Sequence, residues 1–226
     1  MIYFEKLTKV YPDETIALQD VSLAINKGEF ISIVGHSGAG KTTLLKMLLA
    51  EDTPTSGKVS VESVDVHSLA KNQLHKFRRK FGTVFQDFKL LPTKTAFENI
   101  AFAMEVAGRL DEEIAQDVPD ALELVGLSSK AWSFPKELSG GEKQRIAIAR
   151  ALVNQPEVII ADEPTGNLDP INTMEIVEIL KKINELGTTV ILTTHNRGVI
   201  DSVRSRVITL ESGRVARDDK NGKYAL

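Results

Sequence analysis

Two short runs carry residue types that could handle phosphate. Gly35-His36-Ser37-Gly38-Ala39-Gly40-Lys41-Thr42-Thr43 puts glycines where a chain can curl and aim several backbone N–H groups at one anion. Lys41 adds an ammonium suited to the β- and γ-phosphates of a nucleotide. The Thr42 hydroxyl is a ligand type for Mg2+, and Thr43 extends the same turn. His36 falls at an unconstrained position of the loop and reads as a solvent-facing bystander. In the second run, Val158-Ile159-Ile160-Ala161-Asp162-Glu163, an apolar stretch ends in two acids. Asp162 is placed to hold Mg2+ through a water. Glu163 is aimed differently and suits a residue that orients or deprotonates an attacking water. Two acids alone serve equally well as the start of an ordinary loop; the glycine-rich run upstream favours chemistry.

Both runs need strands that end at one edge of a sheet, and the patterning supplies them. Alternating apolar and polar positions over 2–10 and 17–25 predict half-buried strands, and Phe30–Val34 reads as a fully buried one. That strand feeds the glycine-rich turn and then an apolar helix over 42–50, the order of elements that a phosphate loop requires. A loop with Pro54 and Gly57 precedes a strand at 58–61, and a basic helix over 69–79 precedes a strand at 81–85. The stretch 95–125 reads as helical, with Ala101, Phe102, Met104 and Val106 apolar and Pro119 bending or interrupting it. A helix opens at Ser139-Gly140-Gly141 and stops before Pro156. After the strand at 158–161, Asp169-Pro170 provides a cap and a first-turn proline. The helix they open buries Ile176, Leu180 and Ile183, pairs Glu178 with Lys182 and ends at Gly187. A strand at 189–193 and a hairpin of 206–210 with 214–216 about Gly213 complete the chain. The fold class is therefore α/β: a mostly parallel sheet with antiparallel additions at the start and a helical insertion over about 87–150.

Composition excludes several classes. The chain has 226 residues, 28 Lys+Arg against 31 Asp+Glu and a net charge of −3, which does not make a nucleic-acid binder. It has no Cys and only 4 His, so thiol chemistry and a cysteine zinc site are out. No apolar run approaches the roughly 18 residues of a membrane span, and the first residues lack the order of a signal peptide. Membrane attachment would have to come through a partner.

One further run narrows the family. Leu138-Ser139-Gly140-Gly141-Glu142-Lys143-Gln144 precedes a helix and, read alone, is a serine cap with a flexible turn. Together with the two phosphate-handling runs it resembles the ABC ATPases, whose signature is LSGGE, over the whole chain. The resemblance implies a single ABC ATP-binding domain over 1–226, with a parallel core, an antiparallel β subdomain and a helical subdomain carrying the signature. It implies ATP and Mg2+ as ligands, ATP hydrolysis, and a head-to-tail homodimer on ATP binding. In that dimer Ser139 and Gly141 of one copy face the γ-phosphate held by the other, and the nucleotide-binding set also takes in Gly140 and Glu142 with Gly35, His36, Ser37, Gly38, Ala39, Gly40, Lys41, Thr42 and Thr43. Residue by residue, Tyr11 resembles the aromatic that stacks on adenine, although a strand-end aromatic covering the core fits as well. Gln86 resembles the glutamine that senses Mg2+ and the attacking water, beside the metal ligands Thr42 and Asp162. His195 resembles the switch histidine on the γ-phosphate, and Glu163 and Lys41 complete the catalytic set. Asp169 lies in a loop that reports across the dimer, and it is also a credible plain cap. A P-loop kinase is disfavoured by the signature, and a nucleic-acid repair protein by the lack of a coiled coil.

Finer features point to one branch. Asp162-Glu163-Pro164-Thr165-Gly166-Asn167-Leu168-Asp169 resembles ATPases that work with force-transmitting membrane partners, lipoprotein-release and macrolide-export subunits among them. The run Phe85-Gln86-Asp87-Phe88-Lys89-Leu90-Leu91-Pro92, then Lys94-Thr95, Glu98-Asn99 and the ending Arg217-Asp218-Asp219 with Gly222 and Tyr224, is similar to the cell-division branch. That branch implies an integral membrane partner of the FtsX kind, an indirect link to peptidoglycan hydrolases, and a peripheral position on the cytoplasmic face of the membrane at the septum. The exporter branch stays open as the alternative. Phe88, Leu90 and Leu91 fit either a groove for a partner's helix or the subdomain's own core. Lys76, Arg78, Arg79 and Lys80 fit a solvated face better than a lipid contact. The mixed charges of the tail, Arg217, Asp218, Asp219, Lys220 and Lys223, suggest no electrostatic role.

Overall fold

A computed structural model of the chain describes residues 1–220 and 222. In chain order the elements are β1 (Ile2–Val10), β2 (Ile16–Ile25), β3 (Phe30–Val34), α1 (Lys41–Leu48), β4 (Ser56–Val61), β5 (Val64–Asp65), α2 (Lys71–Arg78), β6 (Phe81–Phe85), α3 (Ala96–Ala107), α4 (Asp111–Leu124), α5 (Gly140–Leu152), β7 (Val158–Asp162), α6 (Pro170–Glu185), β8 (Thr189–Thr193), α7 (Arg197–Val203), β9 (Arg206–Glu211) and β10 (Arg214–Asp219). They form two compact units, 1–78 with 189–226, and 79–188.

The first unit holds two sheets. β2-β1-β4-β5 is antiparallel, and its inward positions Ile2, Phe4, Leu7, Val21, Ile25, Val59 and Val61 are buried. β3 runs parallel between β8 and β9, with Ile33 beside both Thr193 and Ile208, and β10 closes antiparallel on β9. All five residues of β3 and all five of β8 are buried, as strands covered on both faces must be. Arg206 on β9 places two nitrogens on Asp218, at 2.7 and 2.6 Å, and a third on Glu29 at 3.0 Å. Asp218 therefore does have an electrostatic role, contrary to the expectation for the tail. The Arg206 guanidinium holds the Asp218 carboxyl below the usual carboxylate range. Gly222 is buried, and a Cβ there would lie 2.6 Å from Val207 Cβ. Lys223 and Tyr224 lie outside the described residues.

In the second unit β6 and β7 run parallel, Phe85 beside Asp162. α5 packs on β6 and α3, and its Ile146, Ala147, Ile148 and Ala149 are fully buried. The expected helix over 95–125 is two helices, and the break falls at Gly108 rather than Pro119. Gly108 takes φ 78° and ends α3 with a left-handed cap. Pro119 stays inside α4 on an exposed face, where water can reach the carbonyl that loses its partner. Glu178 pairs with Lys181 at 2.8 Å, one residue short of the expected Lys182. Phe102 and Val106 face outward. The short α7, capped by Asn196, carries no periodic signal that would announce it.

The basic stretch is largely occupied. Arg78 donates to Leu49 O (3.0 Å) and Ala50 O (2.9 Å) just past α1 in the first unit. In the second unit Arg79 donates to Val106 O, and Lys80 pairs with Glu157 at 3.1 Å.

Candidate nucleotide site

β3 delivers the glycine-rich loop and α1 receives it. Gly35 cannot carry a side chain, because a Cβ there would meet Leu210 O at 2.4 Å and Ala39 Cβ at 2.9 Å. Gly40 caps α1 in the left-handed region (φ 102°), and its Cβ would meet Ala17 O at 2.4 Å. Because Gly40 has no side chain, α1 begins without a side-chain cap, and its first N–H groups suit an anion. Ala39 N–H donates to His36 O at 3.1 Å, which tightens the turn. The buried Lys41 ammonium reaches back across the loop to Gly35 O (2.8 Å) and His36 O (3.2 Å). His36, Ser37, Gly38 and Thr42 are exposed, and Thr43 is half-buried. These residues fit a triphosphate: an uncapped helix end, a curled glycine backbone and an ammonium held within the loop.

His195 leaves the same sheet edge as the loop. Ile33 of β3 lies beside Thr193 of β8, and Gly35 and His195 each follow two residues later. Thr194 N–H donates to Ile33 O at 3.2 Å and fixes this exit, leaving the His195 side chain exposed. Tyr11 follows β1 and is half-buried. Lys9 Nζ sits 4.9 Å from its ring centroid while pairing with Asp52 at 2.7 Å. The Lys9 hydrogen bond holds the Asp52 carboxyl below its ordinary range.

In the second unit Gln86 and Glu163 each follow directly from a paired strand end. Gln86 Nε2 donates to Asn167 Oδ1 at 3.2 Å, and Asn167 Nδ2 returns a bond to Gln86 O at 3.4 Å. A Cβ on Gly166 would meet Gln86 Nε2 at 2.8 Å, so a side chain there would push the Gln86 amide aside. Glu163 takes φ 49°, an uncommon conformation for a non-glycine residue and one that recurs at functional positions. Asp162 and Glu163 are both half-buried.

Ser139 caps α5. Its Oγ accepts from Glu142 N–H (3.2 Å), and the Glu142 carboxylate accepts from Ser139 N–H (2.8 Å), a reciprocal capping box. That contact holds the Glu142 carboxyl below its usual range. Gly141 stands directly against the Asn172 side chain of α6, which a Cβ there would displace, and a Cβ on Gly140 would meet Leu168 Cδ2 at 3.3 Å. Asp169 accepts from Ile171 N–H (2.9 Å) and Asn172 N–H (3.0 Å), so it does serve as the cap of α6. The Asn172 backbone bond lowers its pKa.

The family profile described as ABC transporter matches residues 18–166, a span that includes the glycine loop, Gln86, the capped signature helix and the Asp162-Glu163 pair. The chain belongs to the ABC transporter family. It is an ABC ATPase that binds and hydrolyses ATP. It is 49% identical to the cell division ATP-binding protein FtsE of Mycobacterium tuberculosis over 100% of this chain and 99% of that protein. With FtsE of Bacillus subtilis the identity is 47%, over 99% of this chain and 98% of the relative. The methionine import protein MetN 1 of Rhodopseudomonas palustris is 43% identical, but the match spans only 60% of its length. Among solved structures, the dimeric MJ0796 cassette in a post-hydrolysis state with ADP and Pi superposes with a TM-score of 0.88 at 39% identity, covering 99% of this chain and all of that one. The expected ABC-ATPase fold stands.

Three residues of this ABC cassette carry contacts that no motif announced. Arg150 of α5 donates to Phe88 O and Lys89 O, Gln144 Nε2 donates to Phe85 O, and buried Asn99 ties down Leu91, Lys94 and Thr95 through backbone bonds. Phe88, Leu90 and Leu91 are half-buried.

Proposed function

We propose that this ABC ATPase is the motor subunit of a membrane-anchored cell-division complex. Two copies close head to tail on ATP. Lys41 and the α1 amino end grip the phosphates of one nucleotide, and Ser139, Gly140, Gly141 and Glu142 of the other copy cover its γ-phosphate. Tyr11 stacks on the adenine, with Lys9 beneath its ring reinforcing the surface. Thr42, Gln86 and Asp162 supply oxygens for Mg2+, which when bound neutralises charge on the transferring phosphoryl group. A set of one hydroxyl, one amide and one carboxylate suits an ion that is otherwise held by phosphate and water. Glu163 orients the attacking water and takes up its proton. His195 faces the γ-phosphate, and Asp169 reports across the dimer while capping α6.

The observation that carries the division reading is the degree of likeness: the FtsE relatives are 47–50% identical over 99–100% of this chain, the methionine importers 42–44%. The dimeric cassettes support closure of two copies. No helix among the described residues is long and apolar enough to cross a membrane. On this reading attachment passes through an integral partner of the FtsX kind, at the septum, on the cytoplasmic face. Closing and opening of the dimer would then move that partner and activate peptidoglycan hydrolases outside.

Glu163→Gln tests the engine. It should retain ATP, form a dimer with Mg2+-ATP by light scattering and lose roughly 10²–10⁴ in turnover, while Lys41→Ala loses nucleotide binding itself. Rapid turnover by Glu163→Gln would overturn the assignment of the base. Capture of the tagged chain from membranes should bring down a four-span integral protein; an eight-span one would favour an exporter.

A further inference from the structure

The segment after Gln86 is bent against its own preference. Phe88 (φ 60°) and Lys89 (φ 49°) both occupy the left-handed region, which residues bearing a Cβ disfavour. Within the segment the ties are short: Lys89 N–H donates to Asp87 O at 2.6 Å, and Lys89 Nζ pairs with the Asp87 carboxylate at 2.6 Å. That ion pair is more than half exposed and contributes little hold. A conformation of this kind persists only where its surroundings over-determine it.

The surroundings here are two side chains of α5, the helix that the signature opens. The Arg150 guanidinium spans the bend, with Nη2 on Phe88 O at 2.9 Å and Nη1 on Lys89 O at 2.6 Å. Gln144 Nε2 holds Phe85 O at 3.3 Å, on the other side of Gln86. Among the described residues Arg150 pairs with no carboxylate, and burial pushes its pKa down. Keeping a guanidinium partly out of water without a counter-ion is costly. Its planar fork matches two neighbouring carbonyls in a way that an ammonium cannot.

We propose that Arg150, with Gln144, is a positioning residue for hydrolysis: it fixes the backbone on both sides of Gln86, so that the Gln86 side chain and the signature end of α5 keep one geometry. This rests on the proposed role of Gln86. Ser139 and Gln86 are thereby carried by one rigid element, and the left-handed turn is the clamp between them.

A double-mutant cycle on the full chain tests this, reading Mg2+-ATP turnover, KM and thermal unfolding for wild type, Gln86→Ala, Arg150→Lys and the pair. Arg150→Lys keeps the charge and loses the fork. It should lower kcat about 10- to 100-fold, the scale of a small misplacement, with KM for ATP little changed. In the Gln86→Ala background the same substitution should cost less than about twofold, because the residue it positions is already gone. An equal fall in both backgrounds would mean that Arg150 supports the fold only, and an unchanged kcat in Arg150→Lys would equally overturn the proposal. If Arg150→Lys does not fold, Gln144→Met, which removes the donor at similar volume, runs through the same cycle. A Gln86→Ala protein with wild-type turnover would defeat the reading of Gln86 itself, and this inference with it.

Discussion

Two glycines of the phosphate loop, two residues apart, should respond very differently to a single methyl group. Gly38 (φ 79°) has nothing within 4 Å of the position a Cβ would take, so Gly38→Ala meets only the left-handed strain of about 1–2 kcal/mol. Gly40 (φ 102°) meets that strain too, and its Cβ would lie 2.4 Å from Ala17 O and 3.0 Å from Leu18 Cδ2. The first contact is with backbone that is tied to β2, and overpacking of this kind costs about 1–3 kcal/mol. Gly40→Ala should therefore lose about 2–5 kcal/mol in all. At about 2–4 °C per kcal/mol for a chain of this size, Tm falls about 4–20 °C for Gly40→Ala and about 2–8 °C for Gly38→Ala. Loss of unfolded-chain entropy on replacing glycine offsets both equally and cancels in the comparison. Thermal unfolding followed by circular dichroism, without nucleotide, measures the gap. Equal shifts, or a larger one for Gly38→Ala, would refute the idea that close approach to β2 dictates glycine at 40.

Arg78→Ala should lower stability by about 1–2 kcal/mol, because it frees two carbonyls past the end of α1. A pelleting assay with anionic vesicles should show no loss of lipid binding, since that guanidinium is already spent on the chain. Asp218→Asn reports on the Arg206 pair through pH. Its folded pKa is depressed by Arg206, so the stabilisation is complete above the unfolded value near ~3.9 and is lost as pH falls through the lower folded pKa. The Tm difference between wild type and Asp218→Asn should be constant at neutral pH and shrink toward zero in strong acid. A difference that grows on acidification would contradict the pairing.

Local chemistry was legible in the sequence, and contacts to anonymous backbone were not. The order strand, glycine turn, Lys41, helix needs only neighbours in the chain, and so do the Ser139–Glu142 capping box and the Asp169-Pro170 start. The break in 95–125 was misplaced because proline looks decisive in a sequence. Its cost depends on whether the orphaned carbonyl reaches water, and at Pro119 it faces outward. Gly108, which does end α3, looks like any other glycine until its φ is known. Glu178 takes Lys181 at i+3 rather than Lys182 at i+4, and both spacings lie on its face of the helix. The contacts of Arg150 and Gln144 leave no trace in the sequence because their acceptors are main-chain carbonyls, which every residue has. Asp218 looks like loose tail charge because the expected hairpin stops at 216, whereas its second strand runs on to Asp219 and brings Asp218 beside Arg206.

α1 is finished unequally at its two poles. Glycine leaves its amino end without a side-chain cap, and the Arg78 guanidinium, 29 and 28 residues downstream of Leu49 and Ala50, covers the carbonyls beyond its carboxyl end. Eight residues give only two turns of peptide dipoles, and a fixed cation at the far pole keeps that end from competing for a positive ion. The helix thus behaves as a one-ended electrode, and its polarity is wired by a side chain whose own segment bears none of the nucleotide motifs.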